Sequence, residues 1–253
     1  MPVFDYSKRE EHRLSNVALV TGGGRGLGRV LATFLSGQGY DIVITSRTED
    51  ELQDVAAPIS AMGGKVNAVP GNINDPNHRT RLLEETNLMG GVTLLVNNAS
   101  DLGESPRPEL VHASLDRLRL TLETNLVSPL ALIQKALPQL QQTHGLVINI
   151  TSDAGQAGYE RWGIYGSSKA ALDLVSKTLA AELKPLGISV VTVDPGDMRT
   201  RMHQEAFPGE NISDRPLPEV TLPFWAWLFN QDRPTLSGMR YQAQGTLWEI
   251  PVQ

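Results

Sequence analysis

Six short apolar runs recur along the chain, and longer segments with helically spaced apolar residues separate them. The runs are continuously apolar instead of alternating with polar residues, as expected for parallel strands that are buried on both faces. Repetition of strand, helix and strand predicts an α/β protein, a single domain in which one doubly wound parallel β-sheet carries helices on both faces. The predicted strands cover residues 17–21, 41–45, 65–69, 93–97, 146–151 and 189–194.

Two of the predicted helices begin with capping signals. Thr48 and Glu51 have the spacing of a capping box, in which each side chain bonds a backbone N–H of the first turn. Asp75 is a capping residue followed by Pro76, which suits the first helical position. In a doubly wound sheet, ligands bind at the carboxyl ends of the strands, where the strand order reverses. Functional residues are therefore expected just after each apolar run.

Length and composition narrow the classes of function. A chain of 253 residues with 40% apolar content can form one large domain, predicted over residues 16–253 after a polar extension at residues 1–15. The formal charge of -6 argues against nucleic acid or a membrane surface as partners. Since the chain has no cysteine, disulfides, thiolate catalysis and cysteine-based metal centres are excluded, and we expect no metal. The polar N-terminus lacks the apolar region of a secretory signal, and we expect a cytoplasmic protein.

A glycine-rich sequence, TGGGRGLG, directly follows the first apolar run and opens a helix. Glycine lets the backbone turn sharply and approach a phosphate, and the helix N-terminus offers free N–H groups with a favourable dipole. A tight turn without a ligand is the alternative, but the position between strand and helix favours phosphate binding. No Lys followed by Ser or Thr closes the sequence, so a nucleoside-triphosphate loop is not predicted.

Further short motifs follow the other runs. NNAS ends at Ser100, Asn125 lies in the next helical segment, Ser152 follows the fifth run, YGSSK spans residues 165–169 and DPG spans residues 194–196. In content, order and spacing this set resembles the short-chain dehydrogenase/reductase family over roughly residues 16–200. Taken alone, a Tyr and a Lys four residues apart could equally be a solvent-exposed pair on one helix face.

The resemblance implies a Rossmann-fold oxidoreductase with four catalytic residues. Tyr165 would be the general acid in reduction and the base in oxidation, and Lys169 would lower the pKa of the phenol and hold the nicotinamide ribose. Ser152 would hydrogen-bond the substrate oxygen, and Asn125 would anchor a water that leads protons to Lys169. The chemistry agrees, because hydride transfer to a carbonyl leaves an alkoxide that must be stabilised and protonated. A free tyrosine, with a pKa of about 10, needs a nearby cation to ionise closer to neutral pH.

The expected cofactor is NADP(H), with NAD(H) as the alternative. Ser46 and Arg47 end the second predicted strand, where NAD-binding proteins usually place an acid that bonds the ribose 2′-hydroxyl. A guanidinium can instead bind a 2′-phosphate, and Arg25 is placed to help. Alternatively, both arginines are solvated, or Glu49 or Asp50 neutralises Arg47 or reaches the ribose. The resemblance implies a cofactor site made of Gly22, Gly24, Arg25, Gly26, Leu27, Gly28, Ser46, Arg47, Asn72, Ile73, Asn98, Ala99, Tyr165, Lys169, Pro195, Gly196 and Thr200.

Several positions depart from the family pattern. Ser100 stands where glycine is usual, Asn72 where aspartate is common, and Asp194 where asparagine is usual. The usual glycine-containing ending VDGG is missing, although SGMRYQAQ predicts a last strand. A substrate lid is predicted over about residues 197–230, with a packed helix near LPFWAWLF.

Candidate substrate contacts come from the loop DLGESPRPE, from GQAGYERWG just before Tyr165 and from the predicted lid. Candidates for an apolar pocket are Tyr159, Trp162, Met198 and Trp225. Candidates for binding a polar or anionic group are Arg161, Arg199, Arg201 and His203. Packing in the core, or a solvated rim, is the alternative for each of them.

The favoured function is hydride transfer between NADPH and a small-molecule carbonyl or alcohol, by a homodimer or homotetramer. A non-catalytic NADP(H)-binding sensor or regulator with the same fold is the alternative. The complete set of four catalytic residues argues against it, because binding alone does not need them. An extended-type epimerase or dehydratase is disfavoured, because its loop resembles TGxxGxxG and this loop does not.

Overall fold

The computed structural model describes residues 16–250, which form a seven-stranded parallel sheet in the order β3-β2-β1-β4-β5-β6-β7. The strand order reverses between β1 and β4, and the predicted extension at residues 1–15 lies outside the described residues. The strands are β1 Val17–Thr21, β2 Asp41–Ser46, β3 Val66–Pro70, β4 Val92–Asn97, β5 Leu146–Ile150, β6 Ser189–Asp194 and β7 Arg240–Gln242. All six predicted strands are confirmed with bounds shifted by at most about one residue, and β7 lies in the segment predicted as a last strand.

Helices connect the strands, and three short ones follow β6. They are α1 Gly26–Gly37, α2 Glu49–Ala61, α3 Pro76–Leu88, α4 Leu115–Leu122, α5 Ser128–Thr143, α6 Gly163–Leu183, α7 Arg201–Ala206, α8 Leu222–Phe229 and α9 Arg233–Leu236. Among residues 16–250, none of the helices combines the length and the apolarity needed to cross a lipid bilayer.

Successive strand residues pack into two separate cores, one on each face of the sheet. Ala18 and Val20 of β1 join the core that also contains residues of α1, α2 and α8. Val17 and Leu19 join the opposite core, with residues of α3, α5 and α6. Because side chains alternate along a strand, both faces of β1 are apolar and both are covered, which explains its continuous apolar run.

The two predicted helix caps have different outcomes. The Asp75 side chain accepts a hydrogen bond from the N–H of Asn77 at 2.9 Å, as predicted for the start of α3. The capping box at α2 is wrong, because Thr48 occupies the N-cap position but its side chain makes no capping hydrogen bond. Glu51 instead pairs with Arg25 in the glycine loop at 3.4 Å. A partner from a distant segment has replaced the local one.

Helix α8 is the packed helix predicted near LPFWAWLF. Phe224 and Trp225 are fully buried in the core shared with α1, as expected for a packed helix. The Trp225 indole N–H donates to the Thr221 hydroxyl at 2.9 Å, which satisfies the polar atom of the ring. The prediction that Trp225 lines a substrate pocket is therefore wrong.

Candidate active site

A cleft of about 790 Å³ opens at the carboxyl ends of the central strands. Its size lies within the range of roughly 300–1,000 Å³ that is usual for small-ligand sites. Because all the strands run in one direction, loops from distant parts of the chain meet at this edge of the sheet. The lining extends from Gly22 in the glycine loop, past Ser152 and Tyr165, to Thr200 before α7.

The glycine loop between β1 and α1 is packed against the end of β4. Gly22 has φ +66°, a conformation that favours glycine, and a Cβ at Gly28 would come within 2.2 Å of the Gly22 carbonyl oxygen. Asn98 Nδ2 donates to the carbonyl oxygens of Thr21 and Gly22, at 2.9 and 3.1 Å. The backbone cradle fits the phosphates of a dinucleotide at the N-terminus of α1.

Thr21, the last residue of β1, joins the glycine loop to the strand beside it. Its hydroxyl accepts hydrogen bonds from the N–H groups of Asn98 and Ala99, at 2.9 and 3.0 Å, and donates to the Val96 carbonyl at 3.2 Å. Thr21 was not among the predicted site residues. Its position directly before the first glycine was the available signal.

The residues predicted to select NADPH over NADH line the part of the cleft near the glycine loop. Arg25, Ser46 and Arg47 all line the cleft, together with Glu51. Glu51 pairs with Arg25, whereas Arg47 is exposed and forms no ion pair with any described residue. The carboxylate that pairs with an arginine at this site is thus Glu51. Because its partner is Arg25, the guanidinium of Arg47 can bind a ligand.

Asn72 and Ile73 follow β3 and line the same end of the cleft. The Asn72 side-chain oxygen accepts the N–H of Asn74 at 3.1 Å, which closes a tight turn. Below this turn, the buried Arg79 donates from Nη1 to the Ile73 carbonyl at 2.6 Å. The turn is therefore stabilised both by the Asn72 side chain and by Arg79 of α3.

Helix α6 carries Tyr165 and Lys169 one turn apart, and both line the cleft. Lys169 Nζ donates to the Ile150 carbonyl at the end of β5 at 2.8 Å, and lies 5.5 Å from the centroid of the Tyr165 ring. Burial lowers the pKa of Lys169 to about 8, although Asp173 and Asp194 act to raise it. The ammonium is thus directed at the cleft but is easier to deprotonate than a surface lysine.

The pKa of Tyr165 differs from the expectation. Burial raises it above the usual tyrosine value, the side chains of Ser100 and Ser152 act to lower it, and nearby Asp194 and Asp153 raise it further. The sequence predicted a lowered pKa, because the effect of Lys169 was considered and the removal of the phenol from water was not. The phenol is therefore protonated at neutral pH and is a hydrogen-bond donor.

Two serine hydroxyls, those of Ser152 and Ser100, lie near the Tyr165 phenol. Ser152 Oγ donates to Asp153 Oδ1 at 3.0 Å and accepts the N–H of Ala154 at 3.2 Å. Ser100, which replaces the usual glycine, donates to Asn125 Oδ1 at 3.2 Å. The departure at Ser100 thus adds a hydroxyl that interacts with both Asn125 and Tyr165.

Asn125 lies in a π-helical turn, Glu123–Val127, between α4 and α5. Its Nδ2 donates to the Asp101 carbonyl and the Ser168 hydroxyl at 2.8 and 2.9 Å, while its Oδ1 accepts from the Asp101 N–H at 2.7 Å and from Ser100. Two donors and two acceptor positions are thus all taken by protein groups. The Asn125 side chain connects the loop after β4 with α6. A water in the proton relay would therefore have to bind a group other than the Asn125 amide.

The turn after β6 brings Pro195 and Gly196 to the cleft. Gly196 has φ +73°, and a Cβ there would meet the Gln244 side chain at 2.7 Å. Gln244 Nε2 donates to the carbonyls of Pro195 and Asp197, at 2.9 and 2.8 Å, and so holds the turn from the segment after β7. Nothing in the local sequence connects residue 244 with this turn, and Gln244 was not predicted.

Most of the substrate-side candidates lie at the cleft, but not all. Tyr159 and Arg161 are exposed and do not line it; Arg161 borders a separate small pocket. These two positions, like Trp225, correct the prediction, because the loop before α6 turns them outwards. The candidates that line the cleft are Trp162, Met198, Arg199, Arg201 and His203.

The cationic candidates at the cleft are already engaged. Arg199 donates to the carbonyls of Ser213 and Arg215, at 2.6 and 3.1 Å, and Arg201 pairs with Glu205 at 2.9 Å. Burial lowers the pKa of His203, which favours the neutral imidazole at neutral pH. The substrate end of the cleft therefore has less free positive charge than its sequence suggests.

Trp162 is held in place by Arg107, which belongs to the loop DLGESPRPE that was predicted to contact substrate. The Arg107 guanidinium carbon lies 3.6 Å from the Trp162 ring centroid and 4.8 Å from that of Phe207. Trp162 in turn meets Tyr165 edge to face, with centroids 5.8 Å apart. Cation–π contact thus connects the loop after β4, the start of α6 and the end of α7.

Comparison with known proteins agrees with this architecture. The short chain dehydrogenase family model matches residues 16–211. The uncharacterized oxidoreductase YhdF of Bacillus subtilis is 30% identical over 218 residues, which cover 83% of this chain and 74% of the relative. A short chain dehydrogenase structure from Pseudomonas syringae has a TM-score of 0.85 at 28% identity, covering 96% of this chain and 100% of that one. Another, from Shigella flexneri and complexed with NADP, has a TM-score of 0.81 at 25% identity, covering 93% and 100%.

The chain therefore belongs to the short-chain dehydrogenase family. Members of this family are oxidoreductases that use NAD(H) or NADP(H) and act on small molecules. The glycine cradle and the loop after β4 fit such a dinucleotide.

Proposed function

We propose that this protein transfers hydride between NADPH and a small-molecule carbonyl or alcohol. The observation that carries the proposal is the meeting of Ser152, Tyr165 and Lys169 in one cleft with the glycine cradle. When bound, the nicotinamide would supply or accept the hydride. A non-catalytic NADP(H) sensor remains the alternative function, and it would not require these three side chains in the same cleft.

In the reducing direction, the chain has to bind the carbonyl oxygen and then protonate it. Tyr165 is protonated at neutral pH, so its hydroxyl donates to the substrate oxygen and transfers its proton as the alkoxide forms. Ser152, whose hydroxyl donates to Asp153, rotates to donate to the same oxygen. Two donors at the developing negative charge stabilise it in the way of an oxyanion hole.

Lys169 and Asn125 act around this centre. The Lys169 ammonium would hold a ribose hydroxyl of the cofactor, and it favours the phenolate that remains after proton transfer. Asn125 is a positioning residue, because its amide bonds hold the loop at residues 100–101 against α6. A water in the proton path would then be bound by a backbone group and not by the Asn125 amide.

Selection of NADPH over NADH rests on Arg47. A free guanidinium at the end of β2 attracts a 2′-phosphate, whereas Arg25 shares its charge with Glu51. Ser46 lies beside them, and its hydroxyl donates to the Thr48 carbonyl at 3.2 Å. The NADP complex of the Shigella flexneri relative supports the same choice.

The substrate is proposed to be an uncharged carbonyl compound with an apolar or aromatic group. Trp162 and Met198 supply an apolar wall next to Tyr165, and His203 is favoured as the neutral imidazole. The arginines at this end are bonded to protein groups, so an anionic substrate would have to compete for them.

We also propose an oligomeric state and a cellular location for this protein. Leu120 of α4 and Leu174 of α6 are exposed to 41% and 68%, and contact with a second copy would cover them. A homodimer or homotetramer in the cytoplasm is proposed, and light scattering on the purified protein tests the assembly.

The test is a screen of ketones, aldehydes and quinones with NADPH, comparing the natural protein with Tyr165→Phe. We expect turnover by the natural protein and a loss on the order of 1,000-fold in the variant, since the proton donor is removed. NADPH binding, followed by fluorescence, is expected to be unchanged. If both proteins bind NADPH and neither reduces any compound, the sensor function is favoured; substantial turnover by the variant contradicts the role of Tyr165.

A further inference from the structure

Two strands and a helix bring four charged groups together beside the cleft. Arg240 of β7 lies between two carboxylates, with Nη2 3.1 Å from Asp194 Oδ2 and Nε 3.3 Å from Asp173 Oδ2. The three side chains are only 15%, 6% and 5% exposed, respectively. Lys169 is also buried, one turn before Asp173 on α6. Two cations thus face two anions.

These bonds connect the two elements that carry the proposed chemistry. Asp194 ends β6, and its Oδ1 accepts the N–H of Gly196 at 3.0 Å, in the turn that lines the cleft. Asp173 also accepts a hydrogen bond from Gln156 Nε2 at 2.9 Å. Arg240 therefore connects the turn after β6 with the helix of Tyr165 and Lys169, although β7 itself does not line the cleft.

A buried carboxylate is stable only when it is paired or hydrogen-bonded. Asp194 stands where an uncharged asparagine is usual, so this chain carries an extra negative charge at that position. Arg240, from the final strand, supplies the matching positive charge. Within residues 16–250, Asp173 Oδ1 nevertheless stays buried without a hydrogen-bond partner, so one guanidinium does not satisfy both carboxylates. The remaining negative potential acts on Lys169.

We infer that Arg240 and Asp194 form, with Asp173, an ion network that sets the charge state of Lys169 and holds the Pro195–Gly196 turn. Arg240 is a positioning residue, since it acts through Lys169 and the turn. The role in catalysis rests on the proposed function, whereas the electrostatic coupling to Lys169 does not. Among the described residues, the charged groups that act on Lys169 are Asp173 from its own helix and Asp194 from β6, and Arg240 from β7 pairs with both of them. The exposed Asp153, after β5, acts on Tyr165.

The sign of each change follows from this arrangement. Arg240→Gln leaves two buried carboxylates facing Lys169, so the pKa of Lys169 rises, by about one unit. Asp194→Asn removes one carboxylate and keeps the guanidinium, so this pKa falls by a similar amount. The double variant removes one charge of each sign, and the pKa returns towards that of the natural protein. If Arg240 and Asp194 only stabilised the fold, the second substitution would not restore the pKa of Lys169.

The experiment is a pH titration of Lys169 by NMR, in full-length protein whose six lysines carry a ¹³C label at Cε. Lys169→Met identifies the resonance, and circular dichroism and thermal unfolding show that each variant is folded. The control is Arg119→Gln, which removes a similar but exposed pair with Asp116 on α4. The control is expected to leave the titration of Lys169 unchanged. Arg240→Lys keeps the charge and is expected to stay within about half a unit of the natural protein.

Three results would overturn the inference: no shift in Arg240→Gln, equal shifts in the single and double variants, or a shift in the Arg119 control. If Arg240→Gln does not fold, Asp194→Asn must still lower the pKa of Lys169, and no change there rejects the network. The titration needs no substrate. Expected shifts in a protein that reduces no carbonyl would uphold the network and reject the proposed function.

Discussion

The two ends of the cleft are built in different ways. At the dinucleotide end, one continuous loop from Thr21 to Gly28 forms the cradle, and its shape depends on a backbone conformation that favours glycine at Gly22 and on a close contact that excludes a Cβ at Gly28. At the substrate end, Trp162 lines the cleft and is packed against Arg107 and Phe207, which come from two other segments. The first end is determined by local conformation and the second by packing between distant parts of the chain. Variants at each end should therefore fail in different ways.

The largest effect is expected at the dinucleotide end, in Gly28→Ala. The new Cβ would lie 2.2 Å from the Gly22 carbonyl oxygen, so the backbone of the cradle must move. We expect NADPH to bind about 100-fold more weakly, a loss of about 2.7 kcal/mol, measured by fluorescence titration. Gly37→Ala, at the end of the same helix, is the control, because a Cβ there would meet no other part of the described chain within 4 Å. Equal binding by Gly28→Ala and the natural protein would contradict a tight cradle.

Between the two ends, the pH dependence tests the chemistry of Tyr165. Its pKa is raised, so the protonated form persists through neutral pH and the phenolate becomes available only as the pH increases. Alcohol oxidation is therefore expected to accelerate about tenfold per pH unit from pH 6 to 8, while carbonyl reduction stays nearly constant. Reduction should decline above about pH 8, where Lys169 loses its proton. An oxidation rate already constant at pH 6 would contradict the raised pKa.

Arg47→Ala sharpens the assignment of the cofactor. Loss of a guanidinium that pairs with no residue in the described part of the chain should raise the KM for NADPH about tenfold and leave that for NADH unchanged. Arg25→Ala is expected to have a smaller effect, because Arg25 already shares its charge with Glu51. Initial rates with both cofactors measure the ratio. Equal losses with NADPH and NADH would show that Arg47 does not select the 2′-phosphate.

At the substrate end, Arg107→Ala should act on substrate and not on cofactor. Removing the guanidinium removes the cation–π contacts that join Trp162 to Phe207, so Trp162 is held less firmly, and we expect the KM for an apolar ketone to rise roughly three- to tenfold. The dissociation constant of NADPH should stay the same. Arg119→Ala, on the exposed side of α4, serves as the control. Weaker NADPH binding by Arg107→Ala would show that the two ends are not independent.

The smallest expected effect distinguishes the helix cap at Asp75, which forms, from the cap predicted at Thr48, which does not. Asp75→Ala removes a capping hydrogen bond and should lower the free energy of unfolding by about 1 kcal/mol. Thr48→Ala removes a side chain that makes no capping bond, so a loss below about 0.5 kcal/mol is expected. Urea denaturation measures both. Equal losses would mean that the Thr48 side chain caps α2 in solution.

Much of this fold could be predicted because its signals are local. Each of the six predicted strands occurs within about one residue of its predicted bounds, since a strand buried on both faces needs a continuous apolar run. The glycine loop and the position of Tyr165 on α6 follow from short motifs. The proposed roles of Asn125, Ser152, Tyr165 and Lys169 remain predictions, although all but Asn125 line the cleft.

The amino-acid sequence alone specified the strands, the glycine cradle and the order of the motifs, because backbone conformation depends on residue type and near neighbours. Only the tertiary structure decided that Glu51 pairs with Arg25 instead of taking part in a helix cap, and that Trp225 belongs to the core. It also decided the direction of the Tyr165 pKa and brought Arg240 to Asp194. Removal from water and the choice of ionic partner depend on atoms supplied by distant segments, and no local pattern records which segments will meet.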